Sequence, residues 1–251
     1  MQALISVFQY FYRFERRWLQ IWSLLYFGFL SLGLIFPHFV GITILRYTGI
    51  CLYLVYAYHH SKTDYLLLIA LFFTLLADTI LVINSTSIVG VFVFCFSQFF
   101  HLARLRKIQP KALTFYFFII ILIFFFSVLQ KIEPIFVVAA IYATALLLNV
   151  GLSSHWHHQQ PHDIAATSAF FGFLLFLSCD FCVANSYLSY IGFWPAAVYP
   201  IANYLAWFFY FPSQVLIANS SNLQWFTTKN HSKLAKVWYN NLIMEGNKNQ
   251  P

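Results

Sequence analysis

The chain has 251 residues, of which 61% are hydrophobic and only 8% are charged. A soluble globular domain carries about 25% charged residues, so this chain lacks the polar side chains needed to cover a water-facing surface. Apolar runs long enough to cross about 30 Å of hydrocarbon recur along it. Because these runs are continuous rather than alternating, they argue against an outer-membrane barrel. The composition therefore predicts an all-α, polytopic membrane bundle.

Residues 1–17 predict an N-terminal interfacial segment rather than a cleavable signal peptide. A signal peptide places its positive charge before its apolar stretch, and here the order is reversed. An apolar stripe on one helical face is typical of a helix that lies at the membrane surface. The stripe consists of Ala3, Leu4, Val7, Phe8 and Phe11.

Eight membrane spans are predicted within residues 18–219, separated by polar connectors or by proline. The predicted ranges are Trp18–Phe36, Phe39–Tyr58, Tyr65–Ile83, Ile88–Leu105, Ala112–Leu129, Pro134–Leu152, Ile164–Tyr190 and Pro195–Asn219. Together they use about 160 residues. Residues 220–251 are polar and predict a cytoplasmic tail. Since no soluble domain of useful size remains, any chemistry is expected inside the bundle.

The distribution of Lys and Arg predicts the orientation of the chain. An even number of spans places both termini on one side, and all 14 Lys and Arg residues except Arg46 and Lys131 fall on that side. The positive-inside rule then makes both termini cytoplasmic, and the plasma membrane is the expected location. The net charge of +7 is explained by this inward bias and by attraction to anionic lipid. It does not require a nucleic-acid partner.

Only two of the seven carboxylates lie well inside a predicted span, Asp78 in the third and Asp180 in the seventh. These spans run in the same direction, and the two residues lie about 20 Å and about 24 Å from the cytoplasmic ends. Two carboxylates at one depth in a dry bundle do not both ionise readily. One neutral acid beside one anion is the pairing that general acid–base hydrolysis uses. The alternative is that each Asp belongs to a structural polar cluster between helices.

Further polar side chains are expected near these carboxylates. Gln98 and His101 lie three residues apart on one face of the fourth span. Tyr210 and Gln214 share a face of the eighth span. Pro212, between them, predicts a bend and a freed backbone carbonyl.

Arg46 lies near the outer start of the second span. It either snorkels to the membrane surface or contacts a phosphate group.

No metal site and no cofactor are predicted. The four cysteines all fall in predicted spans, and the CxxC spacing of Cys179 and Cys182 is interpreted as two small buried residues on one helix. The His-rich connector at residues 155–162 carries imidazoles that suit zinc. It lies on the opposite side from the two Asp residues, however, and has no identifiable partners to order it.

Four short patterns occur in order along the spans: "LLADTILV", "GVFVFCFSQFFH", "GFLLFLSCD" and "YFPSQ". Together they resemble the motifs of the YhhN-like family, the lysoplasmalogenases, whose members also have eight spans. The chain departs from the family pattern at Ala77 in place of Gly, at Gln98 in place of His and at Cys179 in place of Ser. Because Gln cannot take up or release a proton, His101 would have to replace any proton-carrying His at that position.

The resemblance implies hydrolysis of the vinyl ether bond of a lysoplasmalogen to a fatty aldehyde and a glycerophospho-alcohol. Protonation of the carbon–carbon double bond leaves an oxocarbenium ion for water to attack, as in glycoside hydrolysis. Asp78 and Asp180 would supply the acid and the anion, in an order that the sequence does not assign. The implied positioning residues are Gln98, His101, Tyr210 and Gln214, and the implied phosphate contact is Arg46.

Two other functions remain open at the level of sequence. A transporter could use the Asp pair as a proton relay, and spans four and seven both read Gly-x3-Phe-x3-polar in opposite directions, as in an inverted repeat. A structural membrane protein with an inactive site would account for Gln98. In each case the expected partner is the bilayer, with a membrane lipid or lysolipid as substrate for the enzyme.

Overall fold

The computed structural model describes residues 16–35, 40–60, 64–106 and 108–220, and these form eight α-helices. The helices are α1 Arg16–Ile35, α2 Val40–His60, α3 Tyr65–Ile83, α4 Ile88–Leu105, α5 Ala112–Gln130, α6 Pro134–Gln159, α7 Ile164–Tyr190 and α8 Val198–Asn219. The predicted all-α architecture is confirmed. Residues 1–15 of the predicted interfacial segment and the tail beyond Ser220 lie outside the described residues, and residues 16 and 17 belong to α1.

Six of the helices, α3 to α8, are long and apolar enough to cross a membrane, judged by length and composition. The first helix contributes a shorter apolar segment, Gln20–Ile35. These helices make the chain a multi-pass membrane protein. That α1 and α2 also cross, for a total of eight spans, stays a prediction.

Six helices pack into a closed ring in the order α2, α3, α4, α6, α7, α8, with α8 returning to contact α2. Helix α1 packs outside the ring against α2 and α8, and α5 packs outside it against α6 and α4. The outer surface of α5 is lined by phenylalanines, as expected for a helix that faces lipid. The exposed ones are Phe115, Phe117, Phe118, Phe124, Phe125 and Phe126. The ring therefore has an interior, and buried polar side chains such as Asp78 and Gln98 lie on its helices.

Two predicted boundaries are wrong. Helix α6 continues through residues 153–159 instead of ending at Leu152, because this polar segment packs on α7. Trp156 is buried, and the His157 ring stacks on Phe170 of α7 with centroids 5.5 Å apart. Helix α8 begins at Val198 rather than Pro195, since the Pro195 carbonyl accepts hydrogen bonds in the preceding turn.

Pro212 lies inside α8 without ending it. Proline cannot donate to the carbonyl four residues earlier, which belongs to Phe208. The hydroxyl of Tyr26 on α1 donates to that carbonyl oxygen at 2.9 Å. A neighbouring helix thus satisfies the group that proline leaves free, as membrane helices require.

The α7–α8 contact is close because α7 has Gly172 at the crossing. A methyl group added there would lie 3.0 Å from the backbone nitrogen of Ile217 and 3.2 Å from the carbonyl oxygen of Ser213. Backbone atoms of α8 cannot move aside as the end of a side chain can, so only glycine permits this approach. In contrast, nothing lies within 4 Å of the same position at Gly151 on α6.

We predict that Gly172→Ala destabilises the bundle by about 1–3 kcal/mol, as overpacking of a tight contact does. The measurement is the free energy of unfolding of the protein in detergent micelles. Gly151→Ala is the matched control, and it should leave stability unchanged or raise it, because Ala favours a helix more than Gly does. Equal stability of the two variants would contradict the close α7–α8 packing.

Candidate functional site

Asp78 lies on α3 and faces the interior of the ring, where its exposed fraction is 8%. The hydroxyl of Tyr210 on α8 donates a hydrogen bond to its carboxylate. The hydroxyl of Tyr53 on α2 lies 3.2 Å from that of Tyr210. Because Tyr210 gives its only proton to Asp78, Tyr53 is the donor in this second bond. Three helices of the ring therefore meet at one carboxylate.

Asp180 on α7 has a similar arrangement with a different helix. The hydroxyl of Tyr142 on α6 donates to its carboxylate, and the Asp180 side chain is only partly buried. The Tyr142 ring packs against Phe94 of α4, with centroids 5.8 Å apart. Each deep carboxylate thus has its own tyrosine donor from another helix.

The two Tyr–Asp pairs face the same interior space. Buried Phe176 lies between them, with its ring centroid 5.8 Å from Tyr210 and 6.1 Å from Phe94. Cys179, which precedes Asp180 on α7, is also buried. Aromatic contacts through Phe176 and Phe94 therefore link the two Tyr–Asp pairs across the interior of the ring.

Gln98 and His101 are fully buried on α4, but neither makes a hydrogen bond to the carboxylates within the described part of the chain. The amide nitrogen of Asn149 on α6 donates to the backbone oxygen of Gln98 at 3.0 Å and to its side-chain oxygen at 2.9 Å. The His101 ring meets Phe173 of α7 edge-on, with centroids 5.2 Å apart. These two residues belong to the α4–α6–α7 interface below the Asp180 pair.

Gln214 lies one turn after Tyr210 on α8 and is fully buried. Neither its side-chain oxygen nor its nitrogen has a hydrogen-bond partner among the described residues. A buried amide without partners is costly, so it is available to a polar ligand that enters the ring.

Arg46 lies on α2 with its guanidinium 4.5 Å from the ring centroid of Trp207 on α8. Trp207 packs edge-on against Tyr210 at 5.5 Å. Among the described residues Arg46 makes no salt bridge, and its Nε atom is buried without a hydrogen-bond partner. The Arg46 guanidinium, which has no salt-bridge partner among the described residues, is therefore separated from Asp78 by the rings of Trp207 and Tyr210.

Sequence reasoning missed Tyr53, Tyr142 and Asn149. Asn149 could have been found, because it is an amide inside an apolar run of the sixth span, "TALLLNVGL", and intramembrane polar residues indicate function. The chain has 16 Tyr, and nothing in the sequence distinguishes Tyr53 and Tyr142 from most of the others.

In the part of the chain that the structure describes, no group of three or more His, Cys, Asp or Glu side chains is placed to hold a metal ion. The four cysteines are free thiols.

Residues 41–221 match the sequence profile of the YhhN family. The chain belongs to the YhhN family. The matched segment contains both carboxylates, their tyrosine partners and Arg46, whereas α1 lies before it. No curated protein and no solved structure matches the chain.

We predict that Asp78 and Tyr210 are energetically coupled. A double-mutant cycle with Asp78→Asn and Tyr210→Phe should give a coupling energy of about 0.5–3 kcal/mol, because Tyr210→Phe removes this hydrogen bond and Asp78→Asn removes the charge that strengthens it. The measurement is the free energy of unfolding in micelles.

The matched control pairs Asp78→Asn with Tyr142→Phe, since Tyr142 bonds to Asp180 and not to Asp78. Its coupling energy should be smaller. A Tyr210 cycle that shows strict additivity would argue against the bond between α3 and α8.

Proposed function

We propose that this YhhN family membrane protein hydrolyses the vinyl ether bond of lysoplasmalogens to a fatty aldehyde and a glycerophospho-alcohol. The observation that carries the proposal is the pair of deep carboxylates, Asp78 and Asp180, each bonded to a tyrosine hydroxyl from another helix of the ring. The resemblance of the motifs to lysoplasmalogenases supports the choice of substrate.

The chemistry needs one acid and one base. The protonated carboxyl group transfers its proton to the alkenyl carbon remote from the ether oxygen, which leaves an oxocarbenium ion. The ionised carboxylate stabilises this cation and removes a proton from the water that attacks the adjacent carbon. The resulting hemiacetal breaks its carbon–oxygen bond to release the aldehyde and the alcohol. One water molecule is consumed and no redox partner is required.

Arg46 is suited to bind the substrate phosphate. Its guanidinium is partly buried, stacks on Trp207 and has no carboxylate partner in the described part of the chain. Arginine recognises phosphate with two parallel hydrogen bonds. The path from Arg46 through Trp207 and Tyr210 to Asp78 would place the head group at one end and the vinyl ether at the carboxylates.

The buried amides and imidazole would position the rest of the reactants. The side chain of Gln214, one turn from Tyr210, has an oxygen and a nitrogen without a hydrogen-bond partner among the described residues. Gln98 and His101 lie on the Asp180 side. The orientation with both termini cytoplasmic, in the plasma membrane, is part of this proposal and rests on the positive-inside rule.

We predict that Asp78→Asn and Asp180→Asn each lower the rate of aldehyde release by at least about 100-fold, because each removes a proton-transfer group. Purified protein in detergent is incubated with lysoplasmalogen, and aldehyde is detected by mass spectrometry. Glu133→Gln is the control, since Glu133 is an exposed residue that immediately precedes α6.

Wild-type rates in both Asn variants would rule out the acid–base mechanism. Proton flux through wild-type protein in liposomes, without turnover of any lysolipid, would instead favour a transporter.

We further predict that Arg46→Gln raises the KM for lysoplasmalogen while leaving kcat within a few fold of the wild type. The physical reason is that the phosphate contact is made equally in the ground state and the transition state. An alkenyl glycerol that lacks the phosphate is the matched control substrate, and its KM should not change. An equal KM change for both substrates would show that Arg46 supports the fold instead of binding phosphate.

A further inference from the structure

A column of polar side chains leads away from Asp180 along the α4–α6–α7 interface. We call it the polar column, and its members are Asn149, Gln98, His101, Arg104 and Asp64. Its lower limit is the basic end of the bundle, where α4 and α6 end and α3 and α7 begin. This is the end predicted to face the cytoplasm.

The column residues on α4 recur at helical spacing, below Phe94. Phe94, Gln98, His101 and Arg104 are three or four residues apart and share one helix face, with steps of about 4.5–6 Å along the axis. At the upper end Phe94 packs against Tyr142, the donor to Asp180.

Each polar residue of α4 meets a neighbouring helix. Gln98 accepts from Asn149 of α6, and the Nε atom of Arg104 lies 2.7 Å from the carboxylate of Asp64, which caps α3. His101 and Arg104 lie about one turn apart on α4, and both are buried. The Asp64 side chain is 20% exposed, so the column reaches the surface at the basic end.

Six atoms of the column are buried without a hydrogen-bond partner among the described residues. They are Gln98 Nε2, Asn149 Oδ1, His101 Nδ1, His101 Nε2, Arg104 Nη1 and Arg104 Nη2. Buried polar atoms without partners are rare and costly in native proteins. Water is the small partner that can both donate and accept, and buried waters typically make about three hydrogen bonds to such groups. A row of hydrogen-bond donors and acceptors at this spacing can hold several water molecules in single file.

We infer that the polar column carries water from the aqueous phase at the basic end to Asp180 and supplies the molecule that hydrolysis consumes. This rests on the proposed function. Asp180 is then the base that takes the proton of the attacking water, and Asp78 is the acid that protonates the alkenyl carbon. The assignment follows from position, because the Asp180 carboxylate is bonded to Tyr142, whose ring packs on Phe94 one turn before Gln98 of the column, whereas Asp78 is bonded to Tyr210 of α8.

The proton balance closes over one cycle. Asp78 gives its proton to carbon, and Asp180 takes one from water as the new carbon–oxygen bond forms. When the hemiacetal breaks, Asp180 returns its proton to the leaving alcohol oxygen. The hemiacetal hydroxyl then returns its proton to Asp78. Substrate and water enter from opposite sides of the site, since Arg46 and Trp207 lie on the Asp78 side.

Water in the column can be tested without any substrate, by hydroxyl-radical footprinting of the wild-type protein in detergent. Radicals made from internal water modify adjacent rings. Phe173, which packs against His101, and Phe29, which lies in the aromatic cluster between α1 and α8, are 0% and 1% exposed. We expect Phe173 to be modified several-fold faster than Phe29. Equal rates would overturn the column, whatever the activity.

The role of the column is tested with Asn149→Leu, which removes the amide at nearly constant size. We expect the modification of Phe173 to fall to the rate of Phe29 and kcat for aldehyde release to fall about tenfold or more, with KM unchanged. Leu146→Met, a volume-conserving change one turn earlier on α6, is the matched control and should change neither. Gln98→Met tests the same point if Asn149→Leu does not fold.

The assignment of the two carboxylates is tested in deuterium oxide. If Asp78 protonates carbon and Asp180 activates water, Asp180→Asn releases no aldehyde but introduces deuterium into the alkenyl carbon of recovered substrate. Asp78→Asn should do neither, and the reverse pattern would overturn the assignment.

The outcomes separate the two proposals. Rapid labelling of Phe173 without any aldehyde from the wild type would refute the proposed hydrolase and leave the column in place. Retention of kcat in Asn149→Leu after the labelling is lost would refute the role of the column in supplying water.

Discussion

The hydrogen bond from Tyr210 to Asp78 is the contact on which the rest of the site depends. A carboxylate in an apolar bundle cannot be solvated by water from the lipid side, so a donor from another helix must reach it. Tyrosine can do this because its ring packs among apolar side chains while its hydroxyl extends to the polar group. The bond fixes α8 against α3, and Tyr53 adds α2 to the same point. Tyr142 does the same for Asp180 between α6 and α7. The hydrogen bonds that hold the two carboxylates therefore also join the helices of the ring.

Helix α1 lies outside the ring and before the segment that defines the family, yet it supports the site. Pro212 removes a hydrogen bond from the turn of α8 that follows Trp207, and Tyr26 of α1 satisfies the free carbonyl of Phe208. The turn that carries Tyr210 can thus pass through a proline without opening. At the other side of α8, Gly172 allows α7 to approach closely enough for Phe176 to lie between the two Tyr–Asp pairs. The geometry of the carboxylates depends on contacts made by residues that take no part in chemistry.

The polar groups around the site differ on its two sides. Toward Asp78 lie an arginine and a tryptophan, which suit an anionic head group and an amphipathic lipid. Toward Asp180 lie an amide pair, a buried imidazole and an ion pair at the basic end. Hydrolysis inside a membrane needs both an apolar substrate and water, which do not mix. In the proposed hydrolase, separate approaches to the two carboxylates would meet this requirement, because each reactant would pass only through surroundings that solvate it.

The sequence by itself determined the all-α class, the bounds of α3, α4 and α7, and the identity of the two deep carboxylates. Long apolar runs interrupted by proline and charge are local signals, and a charge inside such a run is visible without knowledge of the fold. Only the tertiary structure decided that Tyr142 and Tyr210 hold those carboxylates, that Asn149 joins Gln98, and that α6 continues through a polar segment to pack on α7. These outcomes depend on which faces of distant helices meet. The periodicity of a sequence shows which residues share one face of a helix. Which other helix packs on that face is decided by the packing of the whole ring.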